Sequence, residues 1–208
     1  GTEREAFAVD PLAVGDLSPL DELLFDAKIL KLVHAGWQDL KIFYQRTGRV
    51  PAPVFDTQIA ASVLGMPAQA AYASVVREFL GVDVKKGHSY SDWGARPLSA
   101  SQLAYALDDV RFLPALHDRM SERLENMDAE RSEFVSNASH ELKTPLSSIK
   151  ILTESLLYQD GVEERVYKEF LSDINKEIDR LTSIISGLLT LAKADSEAAA
   201  DTMITAVE

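Results

Sequence analysis

The sequence predicts a mixed fold: an α/β module over residues 1–119, a long antiparallel helical hairpin over 120–193, and a linker or tail over 194–208. Three observations carry that reading. Seven of the eight prolines, eight of the ten glycines and both tryptophans fall before residue 120, so turn-rich, aromatic sequence gives way to sequence with few breakers. Charge shifts at the same place: residues 1–120 hold 12 Lys+Arg against 15 Asp+Glu, residues 121–208 hold 9 against 18, and the whole chain carries −12. Apolar residues come in short runs before the shift and at steps of three and four after it. The 208 residues give room for two such modules.

In the first module, Ala6–Val9 and Ile29–Val33 read as short strands. Helices fit near 19–27, 37–46, 57–64, 71–80 and 100–119. Strands alternating with helices point to an α/β layer. Pro114 should kink or interrupt the last helix, because it lacks an N–H and its ring crowds the preceding turn. In the second module Val135, Ala138, Leu142, Leu146, Ile149, Leu152 and Leu156 form one periodic stripe. After Gln159-Asp160-Gly161 the pattern resumes with Phe170, Ile174, Ile178, Leu181, Ile185 and Leu188, a heptad seam. Asp160-Gly161 is a turn signal, and Glu163 and Glu164 suit the positive end of a starting helix. The first arm, 121–158, would be about 57 Å long. A lone hairpin leaves much of its seam wet, so two copies are expected to pair into a homodimeric four-helix bundle. From Lys193 the Ala/Ser/Asp-rich composition reads as loosely ordered.

Composition also excludes. The absence of cysteine removes disulfides, thiolate metal sites and a thiol nucleophile. The net negative charge argues against a general nucleic-acid surface, which needs a clustered positive face. No apolar run approaches the roughly 18 residues of a membrane span and no signal peptide opens the sequence, so a soluble, cytoplasmic protein is expected.

The most informative stretch is Phe134-Val135-Ser136-Asn137-Ala138-Ser139-His140-Glu141-Leu142-Lys143-Thr144-Pro145-Leu146. His140 lies one step off the seam, where its ring can face solvent. Glu141 follows directly, and a carboxylate there can take the ring proton and leave the other nitrogen nucleophilic. Thr144 is one turn on along the same face and can orient a water toward a phosphorylated imidazole. Pro145 removes the N–H that would bond the Glu141 carbonyl, so a bend is expected just past the histidine. An exposed His beside Glu is ordinary on a helix; thirteen consecutive residues of this pattern are not.

That run resembles the H-box of sensor histidine kinases of two-component systems. Residues 118–193, entered through Met120-Ser121-Glu122-Arg123-Leu124-Glu125, resemble their dimerisation and histidine-phosphotransfer domain. The resemblance implies His140 as phosphoacceptor, Glu141 as general base and Thr144 as the residue assisting phosphatase chemistry. It also implies a homodimer and a response regulator as partner. The family's ATP-binding domain should begin around Met203-Ile204-Thr205, but the sequence ends at Glu208, and Gly161 and Gly187 are the second module's only glycines. No Gly-rich nucleotide lid is present. Self-phosphorylation is therefore not expected, and ATP would act through a kinase ATP-binding domain supplied in trans.

The first module resembles the 3′–5′ exonuclease domain of the ribonuclease D family, an α/β fold of the ribonuclease H-like type. The carrying residues are His34-Ala35-Gly36-Trp37-Gln38-Asp39-Leu40, Phe55-Asp56-Thr57-Gln58, Ser91-Asp92-Trp93 with Arg96-Pro97-Leu98, and Tyr105-Ala106-Leu107-Asp108-Asp109. In that family four carboxylates hold two metal ions and a tyrosine orients the attacking water. The resemblance makes Asp39 and Asp109 ligands and Tyr105 the water-positioning group. The opening Asp-x-Glu motif is missing, since that triplet occurs only at Asp128–Glu130 and Asp195–Glu197. The α/β module is thus read as incomplete and its site as vestigial. No metal site is expected, magnesium would matter only if the remnant worked, and a nucleic-acid partner is not expected. The strand loss should also expose a sheet edge. The two resemblances meet helix to helix near His117–Met120. Against the phosphoacceptor reading stand an exonuclease or RNA-binding remnant and a purely dimerising scaffold.

Overall fold

The computed structural model describes residues 6–84, 92–158, 161 and 163–204, and the chain divides into two compact units, Gly1–Leu124 and Glu125–Glu208. In the first unit, helix α1 (Ser18–Phe25) precedes strand β1 (Lys31–Val33) and helix α2 (Trp37–Thr47). Strand β2 (Val54–Asp56), helix α3 (Thr57–Val63), helix α4 (Tyr72–Leu80) and helix α5 (Ala100–Arg111) follow. β1 and β2 pair in parallel, Lys31 against Val54, Leu32 against Phe55 and Val33 against Asp56, with α2 as the crossover.

One carboxylate fixes where this crossover begins and ends. Asp56 accepts hydrogen bonds from the backbone N–H groups of Ala35 (3.1 Å) and Gly36 (2.9 Å), at the start of α2, and from Gln58 (2.8 Å), at the start of α3. An anion shared by two helix N-termini satisfies orphan donors and opposes both helix dipoles. The turn leaves no room for a side chain at Gly36, where a Cβ would lie 2.6 Å from Val33 Cγ2. Lys31, otherwise a costly cation to bury, donates to the carbonyls of Asp26, Ile29 and Ala52. Below these strands the core gathers Ala60 and Ala61 of α3, Val75, Val76 and Phe79 of α4, and Leu116 and Met120 from the following helix.

That helix, α6 (Leu113–Leu157), does not continue α5. The 100–119 stretch breaks at Phe112, and Pro114 falls in the first turn of α6, where its missing N–H leaves no bond unmade. The expected interruption is therefore present. The expected strand at Ala6–Val9 is not: these residues take no regular structure, because a strand needs a partner edge and β1 and β2 pair only with each other among the described residues. β2 escapes the sequence pattern because three residues are too short to show alternation.

The second unit pairs the later part of α6 with α7 (Glu164–Ile204). His140 and Thr144 share a cavity with Arg180 and Ile184, while Ser148 and Leu152, further along α6, share one with Asp173 and Lys176, earlier in α7. The arms are therefore antiparallel. Gly161 in the connection takes φ +74°, a left-handed turn that glycine adopts freely; Gln159 and Asp160 lie outside the described residues. The helix continues past Lys193 to Ile204, where the composition reads as a loose tail, because alanine-rich sequence propagates a helix already nucleated. No described helix is long and apolar enough to cross a membrane.

The periodic stripe splits into two rows. Ala138, Leu142, Ile149, Leu152 and Leu156 on α6, with Phe170, Ile174, Leu181 and Leu188 on α7, are half-buried. Leu146 (58% exposed), Ile178 and Ile185 belong to the same stripe yet face outward, joined by Ile151 and Leu189 (59%). Replacing Asp56 by Ala is expected to cost the first unit about 2 kcal/mol, as charge-assisted bonds to three N–H groups are lost. Urea denaturation measures this, and an unchanged midpoint would contradict the shared-cap account.

Candidate functional site

Two cavities, one in each unit, collect the sequence-derived residues. In the second unit His140, Glu141 and Thr144 of α6 line an open cavity of about 440 Å³ with Arg180 and Ile184 of α7. All three α6 side chains are exposed, so the imidazole is open to a reactant. Thr144 Oγ1 donates to the His140 carbonyl at 3.4 Å. Its one proton is spent on the helix, and its lone pairs remain able to accept from a water. Pro145, next in sequence, is fully buried, so the turn that carries the reactive groups is anchored by an apolar ring. α6 runs through Pro145 as one helix, with the Glu141 carbonyl deprived of its usual donor. Arg180 and Ile184 were not legible in the sequence: heptad spacing places them on α7, but only the register between the arms puts them opposite His140.

In the first unit Asp39 of α2 and Asp109 of α5 line a second cavity, of about 350 Å³, with His34, Tyr72 and apolar side chains. Tyr72 Oη donates to the Asp108 carbonyl and accepts from the Phe112 N–H, both at 3.3 Å. Burial, with Asp109 and Asp108 nearby, pushes its pKa up to about 12. Thr57 Oγ1 donates its one proton to the Val33 carbonyl, so the 3.0 Å contact from His34 Nδ1 must be a donation to Thr57. Nδ1 then carries a proton, and burial holds the His34 pKa below the ordinary 6.5, favouring the neutral ring despite the opposing pull of Asp56 and the Ala70 backbone. Desolvation, reinforced by Asp108, raises Asp109 above the ordinary carboxylate value. His34 and Tyr72 join the cavity without having been singled out for chemistry.

Tyr105 is not among the residues lining this cavity and packs instead against Trp93, ring centres 6.1 Å apart. Arg96 pairs with Asp10, donating from Nη2 at 2.9 Å, and Gln102 ties α5 to the Asp92 carbonyl. Ser91 lies outside the described residues. Among the described residues no three His, Asp or Glu side chains converge as ligands. Asp39 and Asp109 are the two carboxylates that line this cavity, where a two-metal site of this family uses four.

The first unit thus has a parallel βαβ element with two family-placed carboxylates in one cavity, and the second is a helical hairpin presenting an exposed His-Glu pair. Family comparison agrees with both. Residues 1–125 match the 3′-5′ exonuclease family, to which the chain belongs, and residues 130–197 match the His Kinase A (phospho-acceptor) domain, so the chain is a chimera of the two. It is similar to ribonuclease D of Sphingobium indicum, 48% identical over 124 residues, which is 59% of this chain and 32% of that protein. Ribonuclease D of Pseudomonas paraeruginosa is 42% identical over 60% of this chain and 33% of its own length. The chain spans about a third of the length of these curated relatives. Among solved structures it resembles Escherichia coli RNase D, an exoribonuclease involved in structured RNA processing, with 33% identity and a TM-score of 0.54 over 68% of this chain and 41% of that one. Brucella melitensis NrnC follows with 34% identity and a TM-score of 0.50, over 54% and 55% respectively.

The strained carboxylate gives a signed prediction. Because folding raises the pKa of Asp109, its ionised form is disfavoured in the folded state, and the cost grows as pH rises through the ordinary 3.8 and the folded value. Asp109→Asn is therefore expected to be more stable than wild type at pH 7, with the difference vanishing below about pH 3, where the carboxyl is protonated in both states. Urea midpoints at the two pH values measure this; a less stable variant at pH 7 would contradict it.

Proposed function

We propose that this chain is a phosphoacceptor module of two-component signal transduction, in which His140 takes a phosphoryl group from ATP through a histidine kinase ATP-binding domain acting in trans and passes it to a response-regulator aspartate. The observation that carries the reading is an open cavity lined by His140, Glu141 and Thr144, within residues matching the phospho-acceptor family.

The chemistry balances on these groups. A ring nitrogen of neutral His140 attacks the γ-phosphorus, the bond to the β–γ bridging oxygen breaks, and its electron pair leaves with ADP. The proton on the other ring nitrogen passes to Glu141. Transfer onward breaks the N–P bond as an aspartate oxygen of the regulator attacks, and the ring regains its proton from Glu141 as neutral imidazole leaves. Thr144 is the residue that orients water when the phosphoryl group is instead hydrolysed. Two hairpins pair through the outward row of Leu146, Ile178, Ile185 and Leu189, giving a homodimeric four-helix bundle.

The exonuclease-like unit is a vestige in this reading. Asp39 and Asp109 keep their shared cavity, but Tyr105 lies against Trp93, and magnesium-dependent trimming of a 3′ end is not part of the proposed activity.

With an ATP-binding domain of a related kinase and labelled ATP, wild type is expected to acquire acid-labile, alkali-stable label, and His140→Gln none. Glu141→Gln should slow labelling by about 10²-fold, the usual loss on removing a general base. Label persisting at full level in His140→Gln would overturn the assignment.

A further inference from the structure

We infer that Arg180 is the phosphoryl-binding cation of the His140 site, so that the acceptor is built from both arms of the hairpin and not from the H-box alone. The inference rests on the phosphoacceptor reading of His140 and adds to it a charged partner for the group that His140 would carry.

A phosphoryl group on imidazole brings close to two negative charges to a cavity whose ionisable lining otherwise consists of His140 and Glu141, and Glu141 is itself an anion. A site with one carboxylate beside a phosphoryl dianion repels its own product unless a cation faces both. Arg180 lines the same cavity, from the opposite helix. Four cations of the hairpin are engaged: Arg165 with Glu169, Lys168 with Glu164, Lys176 with Asp173 and Lys150 with Glu154. Arg180 has no ion pair or hydrogen bond among the described residues, and no salt bridge joins it to Glu141 although both line one cavity. Its guanidinium presents a planar fork that can meet two phosphoryl oxygens at once, which an ammonium cannot.

Position restricts the role further. Ile184, one turn after Arg180, is half-buried and seats that face of α7 toward α6, so the arginine stem leaves the helix on the side of the histidine. Lys143 shares the H-box with His140 but does not line the cavity. Arg180 would thus screen the incoming phosphoryl group from Glu141 and hold its oxygens while the ring nitrogen bonds to phosphorus, leaving the proton's path to Glu141 unchanged.

Phosphoramidate tests this without any kinase domain. The ring nitrogen of His140 attacks its phosphorus, the P–N bond breaks, and ammonia leaves carrying the proton. The full chain is treated with phosphoramidate, labelling at residue 140 is timed, and the phosphoryl signal is titrated by phosphorus NMR. Arg180→Ala is expected to label roughly tenfold more slowly, the order of one lost charge-assisted bond. Its phosphoryl group should lose its second proton at higher pH than in wild type, because the cation that favoured the dianion is gone. Arg180→Lys should recover part of the titration shift, and Lys143→Ala should match wild type in both readouts. Label at residue 140 with rate and titration unchanged in Arg180→Ala would overturn the role of Arg180 and leave His140 as acceptor. No label at residue 140 of wild type would overturn both.

Discussion

A two-helix hairpin can bury only the stripe that each helix turns toward the other, and the chemistry of the second unit depends on that limit. Ala138, Leu142, Ile149 and Leu152 are covered, while Leu146 stands on the adjacent row with more than half its surface exposed. Each covered Leu or Ile removes apolar surface worth roughly 1.5–3 kcal/mol if fully buried, so a row left outside is a comparable unrealised gain. The His140 cavity lies where this packing brings α6 against α7, which makes the register between the arms a chemical as well as a structural matter. A one-turn slip would carry Arg180 away from His140 while leaving the apolar pattern superficially intact.

The first unit is organised differently. Its reference point is a single anion, Asp56, holding the starts of two helices, and around it lie a buried lysine with three carbonyl partners and a neutral histidine fixed by Thr57. These polar groups are paired one by one, His34 Nε2 excepted, in contrast to the hairpin, whose side-chain bonds are mostly Ser and Thr hydroxyls returning to their own helix, such as Thr153 to Ile149 and Thr182 to Ile178. The two cavities inherit this difference. One holds two carboxylates whose surroundings resist ionisation at Asp109; the other presents His140, Glu141 and Arg180 in the open.

Much of this was legible in the residues. The helices near 37–46, 57–64 and 71–80 fall within a residue or so of their observed bounds, because amphipathic spacing and glycines such as Gly48 and Gly81 mark them. Pro114 located a break that hydrophobic periodicity alone would have bridged. The failures have a common cause. Ala6–Val9 looks like a strand, but a strand exists only through its neighbour, and the sequence does not say which edge is available. Strand β2 is too short to carry a period, although its Phe55-Asp56-Thr57-Gln58 was singled out on other grounds. For the site, His140, Glu141 and Thr144 come together because they sit on one helix, while Tyr105 packs on Trp93 and does not line the cavity of Asp39 and Asp109. Arg180 was invisible for the same reason as β2: contacts between separate segments are set by packing, not by local spacing.

The central claim is that the outward row of the hairpin is completed by a second copy of the same chain. Molar mass in solution, measured by light scattering behind a sizing column, tests it most directly. The account predicts a stable particle of twice the 22.9 kDa chain mass, converted to monomer when Leu146 and Ile185 are both replaced by Glu. A wild-type chain that stays monomeric across micromolar concentrations would contradict it.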